Sequence, residues 1–333
     1  MERIQWIDFV RGIAMLAILL FHTEVYYAEH TILSYHSYVP SALMAFAFVS
    51  GYLFDYKQQP FSIRHKLKAI LRSLIIPYFL FATIILLGKW ILGHSNLSLG
   101  DLLIKIITGQ ASWYIAALIL AEILFAVIMK LTREKRLAMV AVCLVFYILL
   151  SIFHNSFGQS FRDSIPNWWR WQEALLILMF LSFGDLYRHY EKRLSWLNTN
   201  WALIVLVAIS VALKIVVYQF ELQMLVADIS ISYYSIFLID GILISLLIVN
   251  IARRLPKLTL ITFIGRNSLI VYFLSGTIPL FVSMVFNRIG LHYNDDYLRV
   301  VLVYIFVVDF STISAYLISR YFWKPFINWL LPR

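Results

Sequence analysis

The chain has 333 residues, of which 62% are hydrophobic and 14% charged, against about 45–50% and about 25% in an ordinary soluble domain. With 25 Phe, 20 Tyr and 10 Trp beside so few charges, a soluble enzyme, a secreted disulfide scaffold and a disordered protein are excluded, and the single cysteine, Cys143, has no partner for a disulfide or a cysteine metal site. The net charge of +10 is a question of where the cations lie, because in a membrane protein Lys and Arg set orientation; no nucleic-acid partner is implied.

Apolar runs predict ten membrane-spanning helices in chain order, at 10–28, 38–56, 71–93, 111–130, 137–154, 173–187, 201–220, 231–251, 267–287 and 298–322. Ten spans of ~20 residues take roughly 200 residues, which matches the hydrophobic share. The second contains Gly51 and the ninth Gly276 and Pro279, which membrane helices tolerate. The first run is followed by Glu24-Val25-Tyr26-Tyr27 and has no small-residue cleavage site, so it reads as a span and not a signal peptide. The longest loops fall near 94–110 and 155–172. A β-barrel would show alternating segments of ~10 residues, and none is present. The expectation is an all-α, polytopic helical bundle forming one transmembrane domain over 1–333, with no separate soluble domain.

Placing the N-terminus in the cytoplasm puts 21 of the 28 Lys and Arg in alternate, inward-facing segments and 5 in outer loops, with Lys89 and Lys214 inside spans. This bias predicts cytoplasmic N- and C-termini and a multi-pass protein of the inner or plasma membrane. Trp168-Trp169-Arg170-Trp171 fits either an aromatic belt at the outer interface or a platform for stacking a sugar.

The first span holds the most informative pair. Arg11 and His22 are eleven residues apart, which on an α-helix is about 20° off one face and ~16 Å along the axis. Ionisable groups within a span face a protein interior or water and mark function. Asp8 lies one turn before Arg11 and is placed to pair with it. Glu24, Arg72, Lys89, Glu122, Lys214, Asp240 and Asp309 also lie in or near spans, where buried pairs between helices would accommodate them. No G-x-S-x-G, H-E-x-x-H, P-loop or G-x-G-x-x-G pattern occurs. His30, His36, His94 and His292 lack ligand spacing, so no metal is expected, and His154 reads as a capping or interface residue.

The opening Arg3-Ile4-Gln5-Trp6-Ile7-Asp8-Phe9-Val10-Arg11-Gly12, running to Phe21-His22, resembles the start of the membrane acyltransferase-3 family, which includes polysaccharide O-acetyltransferases and shows an Arg, ten residues and a His in its first helix. Further segments resemble the family in order: Phe48-Val49-Ser50-Gly51-Tyr52, the basic run Lys66 to Arg72 before Pro77-Tyr78, Ser112-Trp113-Tyr114, Phe180-Leu181-Ser182-Phe183-Gly184, and Ile264-Gly265-Arg266-Asn267-Ser268 with Tyr272. Ser275 stands where several relatives have His, and the basic spacing around Arg72 is not an Arg-x-x-Arg pair.

The resemblance implies transfer of an acyl group, usually acetyl from acetyl-CoA, to a hydroxyl of a sugar bound for the cell surface. On that footing His22 is the general base or acyl carrier, with Arg11 as its catalytic partner. Arg11, Arg64, Lys66, Lys68 and Arg72 would hold the CoA phosphates, and Glu24, Trp113, Tyr114, Asn267 and Tyr272 would line the substrate. The implied partners are acetyl-CoA, a carbohydrate acceptor and the bilayer. The alternative is a transporter or flippase of a glycan precursor, without covalent chemistry.

Overall fold

The computed structural model describes residues 4–55, 61–91, 98–256 and 258–323; Arg3, Lys57, His94, Lys257, Lys324, Arg333 and the side chain of Lys89 lie outside that description. Helices dominate. In chain order they are α1 (Gln5–Thr23), α2 (Tyr35–Tyr52), α3 (Ile63–Ile70), α4 (Ile76–Ile91), α5 (Leu99–Ile107), α6 (Trp113–Leu131), α7 (Arg136–Ser156), α8 (Gln159–Ser164), α9 (Trp171–Tyr190), α10 (Asn200–Gln219), α11 (Tyr234–Arg254), α12 (Thr259–Arg266), α13 (Ser268–Leu274), α14 (Thr277–Arg288) and α15 (Tyr297–Leu317). Among the described residues the only sheet is a two-stranded antiparallel pair, Met224–Leu225 with Ser230–Ile231.

Seven helical segments among the described residues are long and apolar enough to cross a membrane, and eight if α13 and α14 are one span bent by 47°. These match the first, third, fourth, fifth and seventh to tenth expected spans. The second and sixth correspond to α2, of 18 residues, and α9, of 20. Both are less apolar than the others for identifiable reasons. His36, Pro40 and three serines interrupt α2, and α9 carries Glu173, Asp185 and Arg188. Helix α9 is buried along most of its length, so its polar groups meet protein and not lipid. The chain is an all-α, multi-pass membrane bundle.

The chain divides into two compact units. The first comprises Met1–Phe46, Trp196–Gln223 and Ile239–Arg333, the second Ala47–Ser195 and Met224–Leu238.

In the first unit, α1 packs chiefly on α12. The contact is backbone to backbone: a β-carbon on Gly12 would lie 2.1 Å from the Ile261 carbonyl oxygen, and one on Gly265 would lie 1.7 Å from that of Asp8. Only glycine permits so close a crossing. Helix α15 adds a tether from Tyr304, whose hydroxyl donates to the Leu16 carbonyl at 3.0 Å. Lys214 of α10 donates to Asp240 of α11 at 2.8 Å and to the Ser41 hydroxyl of α2 at 2.9 Å, and Ser41 donates to Asp240 at 2.8 Å. A lysine within an apolar helix thus has its charge matched on the spot.

In the second unit, α2 and α9 repeat the same device. A β-carbon on Gly51 would lie 2.0 Å from the Leu181 carbonyl oxygen, and one on Gly184 1.9 Å from that of Phe48. Asp55, just after α2, is buried between Arg136 at 2.6 Å and Arg188, and Arg136 also reaches Asp185 at 3.3 Å. Two carboxylates and two guanidinium groups thereby balance. The loop expected over 94–110 contains α5, opened by a reciprocal capping box in which Ser98 and Asp101 bond each other's backbone N–H. The Ser98 hydroxyl and N–H hold the Asp101 carboxyl below its ordinary pKa. The aromatic segment after α8 is a turn in which Trp169 and Arg170 both adopt positive φ. The Trp169 N–H donates to Thr108 at 2.7 Å, and Arg170 pairs with Glu173 at 3.1 Å and with Asp228. Trp169 packs on Tyr78 and Phe79, while Trp168 stays exposed.

Candidate active site

Arg11 and His22 lie on one uninterrupted helix, α1. Met15 and Ile18, which share their stripe, are buried, so the face that carries both groups is turned toward protein and away from lipid. The Gly12–Gly265 crossing sits beside Arg11. It also brings Arg266 of α12 to Asp8, with Nε 3.6 Å from the carboxylate. Asp8 thus has an ion-pair partner from another helix in addition to its place one turn before Arg11.

The His22 imidazole lies almost parallel to the Tyr26 ring, with centroids 6.0 Å apart and planes at 15°. The adjacent Phe21 ring packs against Tyr35 of α2, with centroids 5.1 Å apart. Immediately after His22 the helix loosens: Glu24–Ala28 is a π turn, a feature that recurs at functional sites because it displaces side chains from the α-helical stripe. Glu24 is fully buried. Its carboxylate accepts the backbone N–H groups of Ile32 and Leu33, each at 3.2 Å, and the Tyr297 hydroxyl at 3.2 Å. On an ideal helix Glu24 would stand about 200° around the axis from His22; here it is a carboxylate anchored in the turn that follows.

The ninth span breaks between α13 and α14, and Gly276 is at the break. A β-carbon there would be 3.9 Å from the Tyr26 hydroxyl, so the broken span lies beside the ring that stacks on His22. Tyr272, in α13, accepts a hydrogen bond from Ser275 on its carbonyl at 2.7 Å. Asn267 closes α12, its amide donating to the Phe263 carbonyl at 3.0 Å; this is a local helix cap.

Arg11, His22, Glu24, Asn267 and Tyr272 belong to the first unit, and Arg64, Lys66, Lys68, Arg72, Trp113 and Tyr114 to the second. In the second unit the four cations divide. Arg64, Lys68 and Arg72 follow at four-residue intervals and are exposed, which sets them along one stripe. Lys66 points the other way, 2.9 Å from the Glu122 carboxylate and 3.7 Å above the Phe54 ring. Arg72 lies in a second π turn, Leu71–Ile75. Trp113 opens α6 with its ring 5.5 Å from that of Tyr114, and Tyr114 is buried. His154 bridges α7 to α9 through Gln172 at 2.9 Å and is bonded to Arg162 at 2.6 Å, an interface arrangement.

Tyr26 beside His22 and Tyr297 on Glu24 have no spacing that would single them out in a chain with 20 tyrosines. Among the described residues no group of three or more His, Cys, Asp or Glu is placed to hold a metal ion.

The acyltransferase-3 profile, described as an acyltransferase domain, matches residues 4–320. No curated relative and no solved structure matches the chain.

Proposed function

Since this chain belongs to the acyltransferase-3 family and is a multi-pass membrane acyltransferase, we propose that it moves an acetyl group from cytoplasmic acetyl-CoA to a hydroxyl of a cell-surface or exported glycan, in the inner or plasma membrane. The observation that carries the reading is the pair Arg11 and His22 on one buried-facing stripe of α1, within a family match that runs nearly the whole chain.

The chemistry assigns a role to each group. The acceptor oxygen attacks the thioester carbonyl carbon while His22, neutral, takes its proton. The tetrahedral oxyanion needs a positive or hydrogen-bonding neighbour. Collapse breaks the carbon–sulfur bond, and the imidazolium returns the proton to the departing CoA thiolate. Arg11, ~16 Å from His22 along the axis, suits a phosphate of CoA, since a pantetheine arm of ~15–20 Å spans that interval. Arg64, Lys68 and Arg72 are exposed cations of the second unit, of a kind that holds phosphate oxygens by charge-assisted bonds. Lys66, already paired with Glu122, contributes least.

The test uses the purified protein in liposomes with acetyl-CoA labelled in the acetyl group and a glycan extract as acceptor. Label in an O-acetyl ester on sugar, identified by mass spectrometry, is the expected result. Passage of a glycan across the bilayer without label would support transport in its place.

A further inference from the structure

Among the described residues of the second unit, five Lys and Arg side chains are at least partly buried: Lys66, Arg136, Arg162, Arg170 and Arg188. Buried charges are normally paired, and four of these follow the rule. Lys66 meets Glu122, Arg136 meets Asp55 and Asp185, Arg170 meets Glu173 and Asp228, and Arg188 meets Asp55. Arg162, in α8, has only neutral partners among the described residues: its Nη1 donates to His154 Nδ1 at 2.6 Å and its Nη2 to the Gln159 side-chain oxygen. A guanidinium can only donate, so Nδ1 is the acceptor, and Nε2 of the ring carries the proton and donates to Gln172 at 2.9 Å. The imidazole is thereby neutral and offsets none of the charge. Arg162 Nε is buried with no hydrogen-bond partner. A second buried donor, the Tyr234 hydroxyl, is also unpartnered, and its ring lies 6.1 Å from that of His154. Two open donors and one uncompensated cation thus flank a single histidine, and such exceptions point to a missing partner.

We infer that Arg162 and Tyr234 bind the phosphate of an anionic phospholipid. An oxyanion supplies the missing charge and the missing acceptors together, and Arg holds phosphate oxygens by charge-assisted bonds. The surroundings select a lipid over a soluble anion. His154 is near the end of α7, a membrane-spanning helix that closes at Ser156, and Tyr234 opens α11, another. The Tyr147 hydroxyl of α7 donates to the Tyr234 carbonyl at 2.7 Å, so these two helix ends stand side by side and the site is at a membrane surface. Phe157 and Phe161 are exposed and stack on each other with centroids 4.7 Å apart, and Phe161 immediately precedes Arg162. This apolar pair is placed to meet acyl chains while the guanidinium takes the headgroup, as basic sites between transmembrane helices do. A zwitterionic headgroup carries its own cation and would leave Arg162 uncompensated, so the site prefers a lipid with net negative charge. It needs neither acetyl-CoA nor an acyl acceptor.

The experiment uses the full chain in detergent, with lipid retention read by native mass spectrometry and stability by thermal unfolding. The probes are phosphatidylglycerol, phosphatidylcholine, glycerol 3-phosphate and methyl glucuronide. Wild type should retain phosphatidylglycerol more tightly than phosphatidylcholine and melt higher in its presence. Arg162→Gln should weaken phosphatidylglycerol binding about ten- to hundredfold, the effect of losing charge-assisted hydrogen bonds, and Tyr234→Phe about three- to tenfold, the effect of losing a neutral one. Tyr234→Phe removes a hydroxyl with no protein partner, so without lipid it should melt no lower than wild type, and it carries the test if Arg162→Gln does not fold. Lys105→Gln, which removes an exposed cation of the same unit, should bind as wild type does. A folded Arg162→Gln or Tyr234→Phe protein with wild-type affinity for phosphatidylglycerol overturns the inference, as does equal retention of the two lipids by wild type. Glycerol 3-phosphate or methyl glucuronide raising the melting temperature as much as phosphatidylglycerol would assign the site to a soluble anion and overturn the lipid.

Discussion

Gly265 and Asp8 meet backbone to backbone, with room for no atom between them: a β-carbon on Gly265 would stand 1.7 Å from the Asp8 carbonyl oxygen. Because Arg11 follows Asp8 by three residues, this crossing fixes the helix that carries the candidate catalytic pair. Gly265→Ala should therefore destabilise the protein by about 3 kcal/mol or more, the upper range of overpacking, and lower activity by displacing α1. At Gly88, in α4, a β-carbon would meet nothing within 4 Å, so Gly88→Ala should be neutral or gain about 0.5–1 kcal/mol from helix propensity. Thermal unfolding of the two variants in the same detergent checks the contrast.

Asp55 is held by Arg136 and Arg188, and its side chain is only 1% exposed. Removing one member of a buried ionic cluster leaves the others uncompensated, at a cost of about 3–5 kcal/mol. Asp55→Asn should lower the melting temperature strongly. The exposed pair of Arg299 and Asp296, 3.7 Å apart, is worth about 0–1 kcal/mol. Asp296→Asn should scarcely change it, since asparagine can still cap α15 at Leu298.

Lys214 and Asp240 give a different pattern. Lys214→Met leaves the Asp240 charge buried beside Ser41, and Asp240→Leu leaves the lysine in an apolar helix with only the neutral Ser41 hydroxyl of this cluster. Each single change should destabilise. The double variant should recover most of the loss, because replacing both charges by apolar groups is often neutral. Additive losses in a double-mutant cycle would show that the two side chains act independently.

The exposed stripe of Arg64, Lys68 and Arg72 and the inward Lys66 should separate in kinetics. Changing any of the three to Gln should raise the acetyl-CoA KM about three- to tenfold, with kcat little changed, as expected for lost uniform binding. The difference from wild type should shrink at high salt. Lys66→Gln should lower the melting temperature, since Glu122 would lose its partner at 2.9 Å.

Much of this architecture is legible in the sequence, and the exceptions have physical causes. Long apolar runs locate the spans because lipid demands a continuous apolar helix. The same rule understates α9, whose Glu173 and Asp185 are met by Arg170 and Arg136 and so never face lipid. Lys214 and Glu122 read correctly as charges needing partners, although Asp240 and Lys66 can be assigned only in three dimensions. Helix α5 lies within the stretch expected as a loop over 94–110, yet Ser98 and Asp101 have the spacing of a capping box, a readable signal for its start. Gly276 and Pro279 mark the ninth span as tolerant of irregularity, but not as bent by 47°. Within the candidate site, Arg11 and His22 follow from helical spacing. The Glu24 environment does not, because its partners come from residues 32, 33 and 297, and no local pattern encodes a contact between positions as far apart as 24 and 297.

In the proposed mechanism His22 performs the proton transfer in acyl transfer. The most direct measurement is the rate of acetyl transfer from labelled acetyl-CoA to glycan by His22→Ala protein in liposomes, at matched amounts of folded protein. Loss of a positioned general base predicts a fall of about 10²- to 10⁴-fold with the melting temperature close to wild type. A His22→Ala enzyme that transfers acetyl at the wild-type rate would rule out His22 as the general base.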